Sequence, residues 1–382
     1  MNFSFTEEQS LLRDSLASYL ADHYDFETRR AALKSEAGWR PGVWKAFAED
    51  LGILGAALPE DLGGLGGGPT ETMVIMEQLG AALVVEPYIG TVVIGGGFLT
   101  RSDHPAAADL IARIVAGETI LAFAAAEPQG RYNWADLQTT ARKEGGGWLL
   151  NGHKAVASGA PWADQLIVTA RTGGGRRDAG GVSVFLVDKS APGLSTRDYP
   201  TVDGSRASEV LFENVSIPAD ALIGPEGEGL PLVEAVVDEA TVAVCGEACG
   251  VLRRLHEGTL EYTKQRKQFG QPISQFQVLQ HRMVDMFIEL EQSISMTYMA
   301  TIRLSDSDPV ARAKAVSAAK VQISRACRFI GQNAIQLHGG MGMTDEMAIG
   351  HYFKRATMIE RQFGSTDHHL ARYEALSFGA AA

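Results

Sequence analysis

Cysteine is scarce in this chain: Cys245, Cys249 and Cys327 are the only three among 382 residues. An odd count without framework spacing excludes a disulfide-built fold and points to a reducing compartment. Cys245 and Cys249 stand four apart on one helix face, with Glu247 and His256 nearby. A metal site there is conceivable, but two small core thiols are the simpler expectation, and no metal is expected. Basic charge is also short, with 34 Lys and Arg against 46 Asp and Glu, a net charge of −12. That argues against nucleic acid or an anionic membrane as the main partner, while leaving room for a local basic pocket. No window reaches the ~20 apolar residues of a membrane span. The opening "MNFSFTEEQSLLRDSL" lacks the basic and apolar regions of an export signal, so a cytoplasmic protein is expected.

What is present reads as helices, then strands, then helices. From Phe5 to about Gly117 apolar residues recur at helical spacing, as at Leu11, Leu12, Leu16 and Leu20 after the first-turn acids Glu7 and Glu8. "GVWKAFAEDLGILGAAL" reads as a second amphipathic segment and "TETMVIMEQLGAAL" as a third, separated by the glycine-rich loop "PEDLGGLGGGP". Gly117 is a C-cap candidate after "HPAAADLIARIVAGE". From Thr119 to about Ile223 the text shortens into strands such as "TILAFAAAEP" and "ASEVLFENVSIP". A hairpin turns on the glycines after "ARKE". With no long helix between the strands, a parallel βαβ sheet is excluded. From Gly229 onward three long helical segments predict an antiparallel bundle, with Pro309 near the start of the third. The expected architecture is α+β and multidomain. It has an N-terminal helical domain (1–118), a middle antiparallel β barrel or sandwich (119–228) and a C-terminal four-helix bundle (229–382).

Two segments carry chemistry. "TKQRKQFGQPI" (263–273) places Arg266, whose planar fork suits a pyrophosphate, three residues before Phe269. On a continuing helix those two would share a face. "AIQLHGGMGMT" (334–344) places Gln336 before Gly339 and Gly340, whose bare backbone lets N–H groups approach a phosphate. These segments resemble the two signature segments of the acyl-CoA dehydrogenase family. "PEDLGGLGGGPTETMVIMEQLG" and "GPEGEGL" resemble that family's N-terminal glycine loop and its turn into the long helix. The resemblance runs in order over nearly the whole chain. Within the family, "TMIERQFGSTDHHLAR" and "QVLQHRMVDMF" look most like the small, base-lacking subunit of pimeloyl-CoA dehydrogenase.

The resemblance implies FAD, an acyl-CoA substrate, electron-transfer flavoprotein as acceptor, and a homo- or hetero-tetramer that includes a homologous subunit. Carried over position by position, it implies cofactor contacts from Ser158, Arg266, Gln268, Phe269, Phe276 and Gln277. It implies further contacts from Gln336, Gly339, Gly340, Ser365, Thr366 and Asp367. Val156 stands where relatives often carry tryptophan, and Ala126 replaces a common threonine, so fewer polar groups would meet the flavin.

The departure that matters most is in "ERQFGSTDHHLAR". Many members place the catalytic glutamate immediately before the Gly-Thr/Ser turn, where it takes the α-proton of the thioester. Here that position is Phe363, and the family's second base position, early in the long helix, is Ala240. The arginine that usually follows the second position is Thr241. The nearby acids are Glu239, Asp238 and Asp367, with His368 and His369 beside them; each has a bland reading as a solvated face or a cap. The resemblance therefore implies a subunit of a heteromeric acyl-CoA dehydrogenase whose partner supplies the base. Two alternatives stay open. One is a self-sufficient homotetramer with a relocated base. The other is a flavin monooxygenase, a nitroalkane-type oxidase or a non-catalytic acyl-CoA-binding protein on the same fold.

Overall fold

The computed structural model describes residues 5–379. In chain order its helices are α1 (Glu7–His23), α2 (Phe26–Lys34), α3 (Pro41–Glu49), α4 (Pro69–Ala81), α5 (Gly96–Thr100) and α6 (Ala107–Val115). Eight strands follow: β1 (Leu121–Ala124), β2 (Thr140–Glu144), β3 (Gly147–Ser158), β4 (Gln165–Arg171), β5 (Val182–Asp188), β6 (Leu194–Pro200), β7 (Arg206–Ile217) and β8 (Leu222–Ile223). Then come α7 (Leu230–Gln265), a short hairpin of β9 (Lys267–Gln268) and β10 (Gln271–Pro272), and α8 (Gln277–Arg303). The chain closes with α9 (Pro309–His338), α10 (Ala348–Arg361) and α11 (Thr366–Phe378). This is the helix–strand–helix order that the sequence predicts. The contacts group the chain into two compact units, one of Met1–Ala32, Pro69–Val84 and Thr241–Ala382, the other of Leu33–Gly68 and Val85–Ala240.

The first unit is helical. A capping box opens α1: the Thr6 hydroxyl accepts from the Gln9 N–H, and the Gln9 side chain accepts from the Thr6 N–H. Leu16 and Leu20 of α1 are buried, and Gln9 reaches Glu71 of α4 at 2.8 Å. Where α4 passes α7 the backbones nearly touch. A Cβ on Gly80 would stand 2.1 Å from the Glu247 carbonyl oxygen, and one on Gly250 2.0 Å from that of Glu77. Only glycine permits that crossing. Helix α9 is the axis of the remainder and packs against α8, α10 and α11. Pro309 takes its first turn, as the sequence predicts, and Asp308 caps it.

The second unit carries the sheet, in the order β6-β7-β3-β2-β4-β5-β8, with β1 on β4. The hairpin β2–β3 turns at Gly145 and Gly146, with φ of 61° and 83°, the conformation of a type I′ turn. Most pairings are antiparallel, but β1 lies parallel to β4, as does the single pairing Thr140↔Arg171 between β2 and β4. The strand path stays open and does not close into a barrel. The mostly polar, half-exposed β6, "LSTRDYP", was not expected as a strand; it pairs only with β7 and ends at Pro200, as suits an edge. The amphipathic segment expected over 42–58 is helical only to Glu49, because Gly52 at φ 63° turns the chain away. "IGTVVIG", Ile89–Gly95, forms a π-helical turn that the periodicity did not announce.

Candidate functional site

The predicted site residues fall into two groups, one in each unit.

In the helical unit, α7 ends at Gln265 and the chain then doubles back through β9 and β10. Phe269 therefore does not continue a helical face with Arg266. It forms the two-residue tip of a hairpin with Gly270, at φ 52° and 83°. Type I′ tips favour Asn-Gly, so a phenylalanine there is held in a conformation costly for its side chain. Its ring is 92% exposed, and Phe276 meets it edge-on at 6.1 Å. Strain and exposure of a large apolar ring at one position fit a ligand contact better than a packing role. Arg266, Gln268 and Gln277 are exposed beside it.

The second signature adjoins the first. Tyr262, four residues before Arg266, stacks on His338 at 4.2 Å and donates its hydroxyl to the His338 carbonyl. His338 ends α9, and Gly339 turns the chain at φ 59°. Around Gly339 and Gly340 a Cβ would meet nothing within 4 Å, and Gln336 lies exposed just before them. An open glycine backbone, an exposed guanidinium and an exposed ring together fit the phosphate and ring chemistry of a dinucleotide such as FAD. The sequence reading missed the Tyr262–His338 clamp; its only signal was an aromatic residue one helical turn ahead of the arginine.

The third element of this unit is the turn between α10 and α11. Phe363 stands at φ 58° and Gly364 at φ 139°. A Cβ at Gly364 would fall 2.3 Å from the His369 ring, so glycine is required there. The hydroxyl of Ser365, rather than the carboxylate of Asp367, caps α11, accepting from the His368 N–H. Asp367 is exposed in the first turn, where a negative charge favours the helix dipole. His369 is buried, and its Nε2–H donates to the Phe363 carbonyl at 3.2 Å. Burial, with the neighbouring cations of Lys320 and Arg372, pushes its pKa down to about 3, so it is neutral. The flanking carboxylates are Glu360, which is paired with Arg328, and the exposed Asp367.

The cysteines lie in the core of this unit. Cys245 and Cys327 are fully buried, and burial pushes both thiols up to about 12. Glu247, the acid between Cys245 and Cys249, is held by a two-pronged ion pair with Arg355. Among the described residues no cluster could hold a metal ion.

In the sheet unit, Ser158 ends β3 and is exposed. The pairing of β3 with β7 slips between Lys154 and Ala157, a bulge in which Val156 takes φ 54° and is half exposed. Positive φ is rare for a β-branched residue, and bulges of this kind re-aim side chains beside functional sites. Behind the bulge lies a buried ion pair that the sequence gave no reason to single out. The Lys154 ammonium donates to Glu127 at 2.7 Å, to Thr169 at 3.1 Å and to the Ala125 carbonyl at 3.3 Å. Glu127 also accepts from the N–H groups of Gln138 and Thr139 and from the Gln129 amide. Burial pulls the Lys154 pKa down to about 8 against the pull of Glu127. Burial alone would raise the Glu127 carboxyl, but Lys154 and these donors overcome it and leave it below its usual range.

Of the alternative base candidates in this unit, Glu239 accepts a hydrogen bond from Arg101, which also donates to the Gly97 carbonyl. Its carboxylate is therefore already engaged. Asp238 is half-buried on the same helix, and Ala240 is fully buried.

The chain matches the acyl-CoA dehydrogenase family in its N-terminal domain over residues 6–127, its middle domain over 122–215 and its C-terminal domain over 227–374. It is 30% identical to acyl-CoA dehydrogenase FadE12 of Mycobacterium tuberculosis, across 91% of this chain and 90% of that protein. The ChsE4-ChsE5 complex from Mycobacterium tuberculosis has a similar structure, with a TM-score of 0.90, 26% identity and all of both chains covered. The FAD complex of PigA is similar over all of both chains, with a TM-score of 0.91 and 28% identity. Among the described residues no helix is long and apolar enough to cross a membrane.

Proposed function

This chain belongs to the acyl-CoA dehydrogenase family of FAD-dependent oxidoreductases, and on that premise we propose that it is the base-lacking subunit of a heteromeric acyl-CoA dehydrogenase. The observation that carries this reading is the turn after α10. Its glycine, its serine cap and its buried histidine support are intact, yet Phe363 stands where a carboxylate would take the α-proton. Two further facts support it: Ala240 fills the other base position, and Glu239 is committed to Arg101. The ChsE4-ChsE5 complex provides a structural precedent for two-chain assemblies among the relatives.

When bound, FAD supplies an acceptor for the hydride that leaves the thioester β-carbon. Arg266 would hold the pyrophosphate through paired N–H donors, with Gln268 and Gln277 beside it. Phe269 and Phe276 would pack against a ring of the cofactor, a reading the exposure of Phe269 supports. Gln336, Gly339 and Gly340 would meet a phosphate with backbone and amide donors. Ser158 would meet the flavin edge, while Ser365, Thr366 and Asp367 would meet the cofactor from the start of α11. A homologous subunit would bring the glutamate, an acyl-CoA thioester would be the substrate, and electron-transfer flavoprotein would take the electrons.

The test is an anaerobic titration of the FAD-loaded chain, alone and with its co-purified partner, against a panel of acyl-CoAs. The expected result is bound flavin that bleaches only when the partner is present. Bleaching of the isolated chain at a catalytic rate would overturn the reading and favour a relocated base, with Glu239 and Asp367 as the first positions to mutate.

A further inference from the structure

We infer that Lys320 is the positioning residue that sets the turn between α10 and α11 in its ligand-ready shape, a task kept in this chain although the turn carries no base. Lys320 lies in the middle of α9 and is fully buried. Its ammonium donates to the carbonyls of Ile359 at 2.9 Å, Glu360 at 3.2 Å and Gly364 at 2.9 Å, and lies 3.1 Å from the Ser324 hydroxyl. Ile359 and Glu360 belong to the last turn of α10, where carbonyls run short of intrahelical partners; the Ile359 carbonyl also accepts from the Gln362 N–H at 3.3 Å. Lys320 is thus a C-cap delivered from another helix, and the negative end of α10 offsets part of its desolvation.

The Gly364 contact gives the lysine a role beyond capping. A peptide group is planar, with its C=O and N–H pointing opposite ways. Drawing the Gly364 carbonyl inward to Lys320 therefore turns the Ser365 N–H outward, away from the core. The preceding carbonyl, that of Phe363, is drawn in by His369. Two buried side chains thus fix two consecutive peptide planes through a pair of residues at φ 58° and 139°. They orient the Ser365 N–H and the first turn of α11 toward whatever the turn holds. No carboxylate lies within hydrogen-bonding reach of the ammonium in these contacts. A buried cation with only carbonyl and hydroxyl partners is costly, and packing alone would be served better by methionine or leucine. The inference rests on the proposed cofactor role of this turn only for the identity of the ligand; the clamp itself is a property of the apo chain.

The experiment compares Lys320→Met with Val316→Ala in the full chain. Val316 is a fully buried α9 residue one turn before Lys320, so its truncation leaves a cavity in the same helix while keeping the ammonium and its partners. Hydrogen exchange of the apo chain and FAD affinity are read together with the visible circular dichroism of the bound flavin. Lys320→Met should speed exchange in peptides covering 362–369 with little change in α8. It should also weaken FAD by on the order of ten- to a hundredfold and alter the flavin spectrum at saturation. Val316→Ala should do none of these selectively. If Lys320→Met does not fold, Ser324→Ala, which removes one partner of the ammonium, should show the same signature at lower amplitude. The inference is overturned if exchange over 362–369 stays as in the wild type, or rises no more than in Val316→Ala. It is also overturned if the turn loosens while FAD affinity and spectrum stay unchanged. A wild-type chain that takes up no FAD would refute the cofactor reading, and the apo exchange comparison would then decide on Lys320 alone.

Discussion

Replacing Lys154 with methionine should be among the most damaging single changes in the sheet unit. Methionine fills nearly the same volume, so the cost comes from charge and hydrogen bonds rather than from a cavity. The substitution leaves the Glu127 carboxylate, 5% exposed, without its cation. It also strips a donor from Thr169 and from the Ala125 carbonyl. Breaking a buried pair from one side costs about 3–5 kcal/mol. The N–H groups of Gln138 and Thr139 and the Gln129 amide still face the carboxylate, which argues for the lower half of that range. For a unit of this size, 3–4 kcal/mol corresponds to a fall in Tm of roughly 6–16 °C. Scanning calorimetry, with circular dichroism as a second probe, measures it. The decisive comparison is the double variant Lys154→Met with Glu127→Gln. The glutamine removes the stranded charge and keeps an acceptor oxygen for the two backbone donors, so the pair of changes should be more stable than Lys154→Met alone. A loss below about 1 kcal/mol, or a double variant no better than the single, would refute the reasoning that an uncompensated buried charge sets the cost.

Two further predictions concern the turn. His369 is neutral when folded, with a pKa near 3 against the ordinary 6.5, so the unfolded chain binds a proton that the folded chain refuses. Its contribution to stability is complete above about pH 6.5 and is lost as the pH falls toward 3, by at most about 1.4 kcal/mol per unit. Denaturant midpoints across that window should flatten in His369→Gln. Phe363→Glu should restore a proton acceptor: the FAD-loaded variant should be reduced by its acyl-CoA at least about a hundredfold faster than the parent. No gain at unchanged FAD affinity would mean that this position faces no substrate.

The architecture was legible because periodicity and punctuation are local. Pro309 marks the start of α9, and the glycines at 145 and 146 mark the β2–β3 hairpin; both read correctly without tertiary information. The hairpin at Phe269 was misread because a two-residue turn needs φ above zero at both positions. Phenylalanine advertises the opposite, so nothing local announces that α7 stops at Gln265. The edge strand β6 was missed because its alternation is polar on both faces.

By itself the sequence determined the family, the order of helices and strands, and that Phe363 and Ala240 stand at the two positions read as base sites. Each of these is written in residue identity and spacing. Only the tertiary structure decided what holds the remaining turn in shape. Lys320 precedes Gly364 by 44 residues, and Lys154 follows Glu127 by 27. In the sequence both look like ordinary helix and strand lysines. Their roles arise because folding removes them from water and surrounds them with carbonyls, hydroxyls and, for Lys154, a carboxylate.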